Sequence, residues 1–170
     1  MNKKITITEK ENIMTYTMEN KASLNLKKHI EFGDGKTSFM VDDVKSVADS
    51  LSLENDIVEI TAITSTETGN GYGSKIIQEC VKNNEDNIIL VKAEPRYASE
   101  EKYTEAKTNG EFYKSLDQLD NFYLKNNFRD INNFIQYENS IPYVYKNEPG
   151  DKVADYMDKL CAETDGAVNE

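Results

Sequence analysis

The sequence predicts an α/β (α+β) fold: one domain on a mixed central β-sheet flanked by helices. Three observations carry this. Residues 57–63 form a β-branched run, Ile-Val-Glu-Ile-Thr-Ala-Ile, of the kind that fills a buried strand. A glycine-rich turn follows, Thr68-Gly69-Asn70-Gly71-Tyr72-Gly73, and from Ser74 onward Ile76, Ile77, Cys80 and Val81 recur at helical spacing. Residues 88–93 are then a second apolar run. It is long enough to lie parallel beside the first, as a right-handed βαβ crossover requires.

Ahead of that unit, residues 4–9 set Ile5 and Ile7 against Thr and Lys, and residues 13–19 form a second extended run. Polar Glu9-Lys10-Glu11-Asn12 between them predicts a hairpin. Residues 23–32 fit neither period, with Leu24, Leu26, His29 and Ile30 irregularly placed. His29 is adjacent to no motif and reads as a core or surface residue. Gly33-Asp34-Gly35 marks a turn, residues 36–41 a short strand, and Asp42 the N-cap of a helix with Val44, Val47, Ala48 and Leu51 on one face.

Beyond the parallel pair, Glu94-Pro95 ends the strand. Residues 96–109 are polar, charged and tyrosine-bearing. They read as an insertion at the carboxyl edge of the sheet, where ligands bind in open α/β folds. Two readings stand: part of an acceptor pocket, or a surface excursion. Residues 111–126 predict a helix with Phe112, Leu116, Leu119 and Tyr123 on one stripe, and Asn127 suits a left-handed residue at its end. Residues 128–137 and 141–145 are the last strands. Pro149-Gly150 is expected to close a domain of residues 1–150, leaving 151–170 as an amphipathic helix (Val153, Tyr156, Met157, Leu160) and a polar tail.

Composition bounds the function. A chain of 170 residues can bury one real core. Acidic residues outnumber basic ones 31 to 20, a net charge of −11, which argues against non-specific nucleic-acid binding. It suits a cationic substrate, and it equally suits simple solubility. The two cysteines, Cys80 and Cys161, form neither a disulfide framework nor a zinc spacing, so no metal is expected. Cys80 lies on an apolar helix face and reads as core. No signal peptide or membrane-length apolar run is evident, so the expected location is cytoplasmic, with no membrane partner. Heavy Asn, Lys and Ile usage fits an AT-rich bacterial or phage genome.

Strand, glycine turn, helix is the architecture of a phosphate cradle. Glycines admit a ligand to the backbone, and the free N–H groups of the first helical turn face it. A dinucleotide fingerprint is excluded because the glycines fall at 69, 71 and 73, and a P-loop because no Gly-Lys-Ser/Thr follows. Thr68-Gly69-Asn70-Gly71-Tyr72-Gly73 instead resembles motif A of the GNAT superfamily of acetyl-CoA-dependent N-acetyltransferases, Arg/Gln-x-x-Gly-x-Gly/Ala. The run from Ala62 to Glu67 looks like the histone-acetyltransferase branch. Thr68 departs from the family's Arg/Gln. About fifty residues on, Asp120-Asn121-Phe122-Tyr123-Leu124-Lys125-Asn126-Asn127-Phe128 resembles motif B, Phe-Tyr-x-x-x-Gly-Phe, with Asn127 for glycine. A family asparagine seven residues before the tyrosine is Leu116 here.

The resemblance covers about residues 56–145 and implies the following. Acetyl-CoA would be held by Ala62, Ile63 and Thr64 of the central strand and by Thr68, Gly69, Asn70, Gly71, Tyr72, Gly73 and Ser74. A backbone N–H near Ile63 would polarise the thioester. Tyr123 would donate to the departing thiolate, or else be an aromatic core residue. A family glutamate acts as general base toward the amine. By alignment it falls on Ile57, and Glu59, two residues along on the same strand face, could do the work through a water. Glu59 could equally be a charged residue on the exposed side of a half-buried strand. The implied acceptor is a primary amine on a cationic small molecule or a protein, with a homodimer possible in this family. The alternative is a degenerate GNAT fold that binds CoA or a protein partner without turnover. A standard domain of this family places its early helices before the hairpin, so the helix near Asp42 would be an insertion.

Overall fold

Alternating side chains build the first half of the chain into two hairpins. β1 (Ile5–Lys10) pairs antiparallel with β2 (Ile13–Met18), and β2 with β3 (Ala22–His29). Leu24 and Leu26 are buried and alternate with Asn25 and Lys27, which settles residues 23–29 as strand and not helix, while residues 30–32 lie beyond its end. The computed structural model describes residues 4–33, 35, 37–65, 71–131 and 140–168, with only the backbone described for residue 39 and residues 163–168.

The strand expected at 36–41 does not form over its described residues, 37–41. The helix α1 (Phe39–Ser50) begins there, four residues ahead of the expected Asp42 cap. Ser38 is the cap: its Oγ accepts from the Val41 N–H at 3.3 Å. Asp42 instead sits in the first turn, where a carboxylate meets the positive end of the helix. It accepts from the Gly33 N–H at 3.0 Å and from the Thr37 hydroxyl. The helix is therefore real, and it lies between β3 and β4.

β4 (Ile57–Ser65) continues the sheet antiparallel to β3, and α2 (Tyr72–Lys82) carries the chain to β5 (Ile88–Ala93), which is parallel to β4. The expected insertion contains a helix, α3 (Glu100–Asn109), capped by Ser99 and packed on α4 (Glu111–Lys125). β6 (Phe128–Asp130) and β7 (Ile141–Tyr145) complete a sheet of order β1-β2-β3-β4-β5-β7-β6. Most of the strand expected over 128–137 lies outside the described residues.

Handedness explains the layering. β5 and β6 both run antiparallel to β7, so they are parallel to each other. The crossovers β4-α2-β5 and β5-α4-β6 step in the same direction, and both being right-handed puts α2 and α4 on one face. That face holds a core of Leu24, Leu26, Val58, Ile60, Ile76, Ile77, Cys80, Tyr123 and Phe128. The opposite face holds a second core of Val44, Ile57, Ile88, Leu90, Val144, Val153 and Met157 under α1 and α5 (Glu148–Val168). Pro149 and Gly150 do not close the chain off: they sit in the first turn of α5, where proline lacks no needed donor. The expected break at 150 thus falls inside a helix.

Candidate functional site

The parallel pairing of β4 and β5 is short. It runs only from Ile57 against Ile88 to Ile60 against Val91. The cause is visible on the other edge of β4. Leu26 pairs with Ile60 and Asn25 with Ala62, so Thr61 is an extra residue, a β-bulge. The bulge turns β4 away from β5, and residues 61–65 face a cleft in place of a neighbouring strand.

Two adjoining cavities fill this cleft. One, of about 270 Å³, is lined by Ile60 to Thr64, Val91, Arg96, Leu119 and Tyr123. The other, about 400 Å³ and mainly apolar, is lined by Ile63, Thr64, Gly73, Tyr97, Gln118 and Phe122. Ala62, Ile63 and Thr64 lie on the cleft wall.

The N-terminus of α2 points into the same region. Gly71 is its N-cap, with φ +74°, and no side chain caps it, so the first-turn N–H groups keep their donors. Gly73 lines the second cavity, and a Cβ there would sit 3.4 Å from the Phe122 ring. Tyr72 packs partly buried against the first core. Ser74 is tied to α4: Asn126 Nδ2 donates to Ser74 Oγ at 3.2 Å, and Gln78 donates to Asn126 Oδ1 at 3.0 Å. Thr68, Gly69 and Asn70 lie outside the described residues.

Tyr123 is 3% exposed and belongs to the core beneath α4, yet it lines the first cavity. The core reading holds, and the side chain also reaches the cleft wall. Among the described residues no partner takes its hydroxyl. Burial pushes its phenol up to about 12, against a smaller lowering by Arg96, so it is a neutral O–H donor at neutral pH. Cys80, fully buried under α2, has its thiol pushed up to about 12 by burial and is inert core.

Glu59 sits elsewhere. Val58 and Ile60 face the α2/α4 core, so Glu59 faces the other side with Ile57. It is not on an exposed face. Its carboxylate lies 2.9 Å from His29 Nε2, and the two side chains are 17% and 4% exposed. His29 is accordingly a core residue with a charged partner. Neither lines the two cleft cavities.

Three residues of the site were missed in the sequence. Thr61 carries the bulge, which has no composition signal. Asn126 holds α2 to α4. Arg96, one of only two arginines in the chain, donates from Nη2 to the Thr61 carbonyl at 2.8 Å and lines both cavities. Its position just after the strand-ending proline was the available clue.

No protein-family model matches the chain, and no curated protein matches it. Among solved structures, the chain is similar to the crystal structure of Arabidopsis thaliana NAA60 in complex with acetyl-CoA. The two are 15% identical, the match covers 80% of this chain and 77% of that one, and the TM-score is 0.42. Among the described residues no helix is long and apolar enough to cross a membrane, and no cluster of His, Cys, Asp or Glu could hold a metal.

Proposed function

We propose that the chain is an acetyl-CoA-dependent N-acetyltransferase that passes the acetyl group directly to a primary amine. The observation that carries this reading is the bulge at Thr61. It leaves a strand edge unpaired over a cleft, beside an uncapped helix N-terminus and beneath a neutral tyrosine hydroxyl. An amide-bearing acyl carrier suits that edge, because it can pair with backbone groups that β5 no longer satisfies. Its phosphates suit the first turn of α2.

Each residue then has a role. Gly71 and Gly73 let the carrier approach the helix N-terminus, with Tyr72 and Ser74 setting the turn. Ala62, Ile63 and Thr64 bind the thioester arm. A backbone N–H near Ile63 stabilises the oxyanion as the amine adds to the carbonyl carbon. Tyr123 hydrogen-bonds the departing sulfur. Glu59 lies three residues from Ala62, about 10 Å along the strand, so a proton reaches it only through water. The acceptor is a cationic small molecule or a protein amine, in keeping with the −11 charge.

A second reading is favoured by one observation: Glu59 is engaged by His29 on the far side of the sheet. On that reading the fold binds CoA, or a protein partner, without turnover. The test is thiol release from acetyl-CoA with a panel of polyamines, aminoglycosides and lysine peptides. Amine-dependent release, reduced in Tyr123→Phe, supports the enzyme. Binding without release from any amine supports the binding module.

A further inference from the structure

Arg96 brings a guanidinium to a cleft whose walls also carry the Lys92–Glu94 ion pair and Tyr97, whose buried hydroxyl has no hydrogen-bond partner among the described residues. Its guanidinium donates to the Thr61 carbonyl at 2.8 Å, at the point where β4 leaves β5. It lines both cavities and stands close enough to Tyr123 to influence its ionisation. Among the described residues it has no carboxylate partner. A guanidinium carries five N–H donors, and among the described residues the one hydrogen bond it makes is that from Nη2 to Thr61.

The leaving group needs such a cation. When an amine nitrogen adds to the thioester carbon, the C–N bond forms, the C–S bond breaks, and the electron pair departs on sulfur. A thiol ionises near 8.5, whereas burial holds the Tyr123 phenol at about 12. Proton transfer from that phenol to a thiolate runs uphill by about three and a half pH units. Tyr123 can donate a hydrogen bond to the sulfur but does not surrender its proton. The charge on sulfur therefore needs a second partner, and the proton lost by the amine leaves through water.

We propose that Arg96 is a further catalytic residue, whose guanidinium, held by the Thr61 carbonyl beside Tyr123, stabilises the departing thiolate. The inference rests on the acetyltransferase reading. Arg96→Gln keeps an N–H donor for the Thr61 carbonyl and removes the charge, whereas Arg96→Lys keeps the charge. Two readouts are used: steady-state kinetics with acetyl-CoA and an active amine, and the ultraviolet thiolate absorbance of bound CoA against pH. The expected result is a fall in kcat of about 100-fold in Arg96→Gln with little change in KM, partly recovered in Arg96→Lys. The bound CoA thiol should ionise at lower pH in the wild type than in Arg96→Gln. Equal kcat and equal thiol ionisation in wild type and Arg96→Gln, with CoA still bound, overturn the role of Arg96 alone. If the wild type binds no CoA, the acetyltransferase reading itself falls, and Arg96 with it.

Discussion

His29 Nε2 lies 2.9 Å from Glu59 Oε1, joining the end of β3 to the first half of β4. Each of these largely buried groups satisfies the other. Removing one leaves its partner without a hydrogen bond, a loss of about 1–3 kcal/mol. Urea unfolding of Glu59→Ala and His29→Ala should show losses in that range. The double variant should lose less than the two together, by about 1 kcal/mol. Strictly additive losses would mean that the pair is not coupled.

Gly73 separates folding from binding. An added methyl meets only the edge of Phe122, at 3.4 Å, and alanine suits a helix better than glycine by about 0.5–1 kcal/mol. Gly73→Ala should therefore unfold at the same temperature as the wild type or slightly higher. It should bind acetyl-CoA at least tenfold more weakly, because the methyl covers the cavity wall. Calorimetric titration beside thermal unfolding reads both. Undiminished affinity would move the ligand away from the start of α2.

Gly150 offers the opposite case. A Cβ there would collide with the Tyr145 carbonyl oxygen and lie 2.8 Å from Asn147 Oδ1. Backbone cannot swing aside, so Gly150→Ala should cost about 3 kcal/mol and lift α5 from β7. A drop in the midpoint of urea unfolding is the expected result; an unchanged midpoint would mean that α5 starts elsewhere.

Alkaline pH should unfold the protein through its buried tyrosines. Burial raises Tyr16, Tyr123 and Tyr143, the last further by its hydrogen bond to Asp120. In the unfolded chain these groups ionise near 10. Above that pH the unfolded state has released protons that the native state still holds, so stability falls as pH rises. For Tyr123, held at about 12, the loss amounts to roughly 3 kcal/mol once pH exceeds that value. Thermal midpoints should decline from about pH 9 up through about pH 12, and Tyr123→Phe should soften the decline. A level midpoint across that window would contradict the burial of these hydroxyls.

Local signals in the sequence were read well. The β-branched run gave β4, the glycine turn gave the left-handed Gly71 at the start of α2, and Asn127 adopts the expected left-handed conformation at φ +71°. Signals that depend on distant partners were not legible. The bulge at Thr61 is defined by pairing with β3, and His29 meets Glu59 across thirty residues. Asp42 looks like a cap, whereas Ser38 makes the bond and starts α1 four residues earlier. Pro149 and Gly150 looked like a terminator because both residues break helices in the interior but not in a first turn. Arg96 reads as one charge in a polar stretch until the fold sets it against β4.

If the unpaired edge of β4 and the start of α2 together hold acetyl-CoA, thermal unfolding with and without it will register the binding. At about a hundredfold excess over the dissociation constant, binding should stabilise by about 2.7 kcal/mol, a rise of roughly 5–10 °C for a chain of this size. That rise should shrink in Gly73→Ala. A well-folded sample whose midpoint does not move at any acetyl-CoA concentration would mean that the cleft between β4 and β5 holds some other ligand or none.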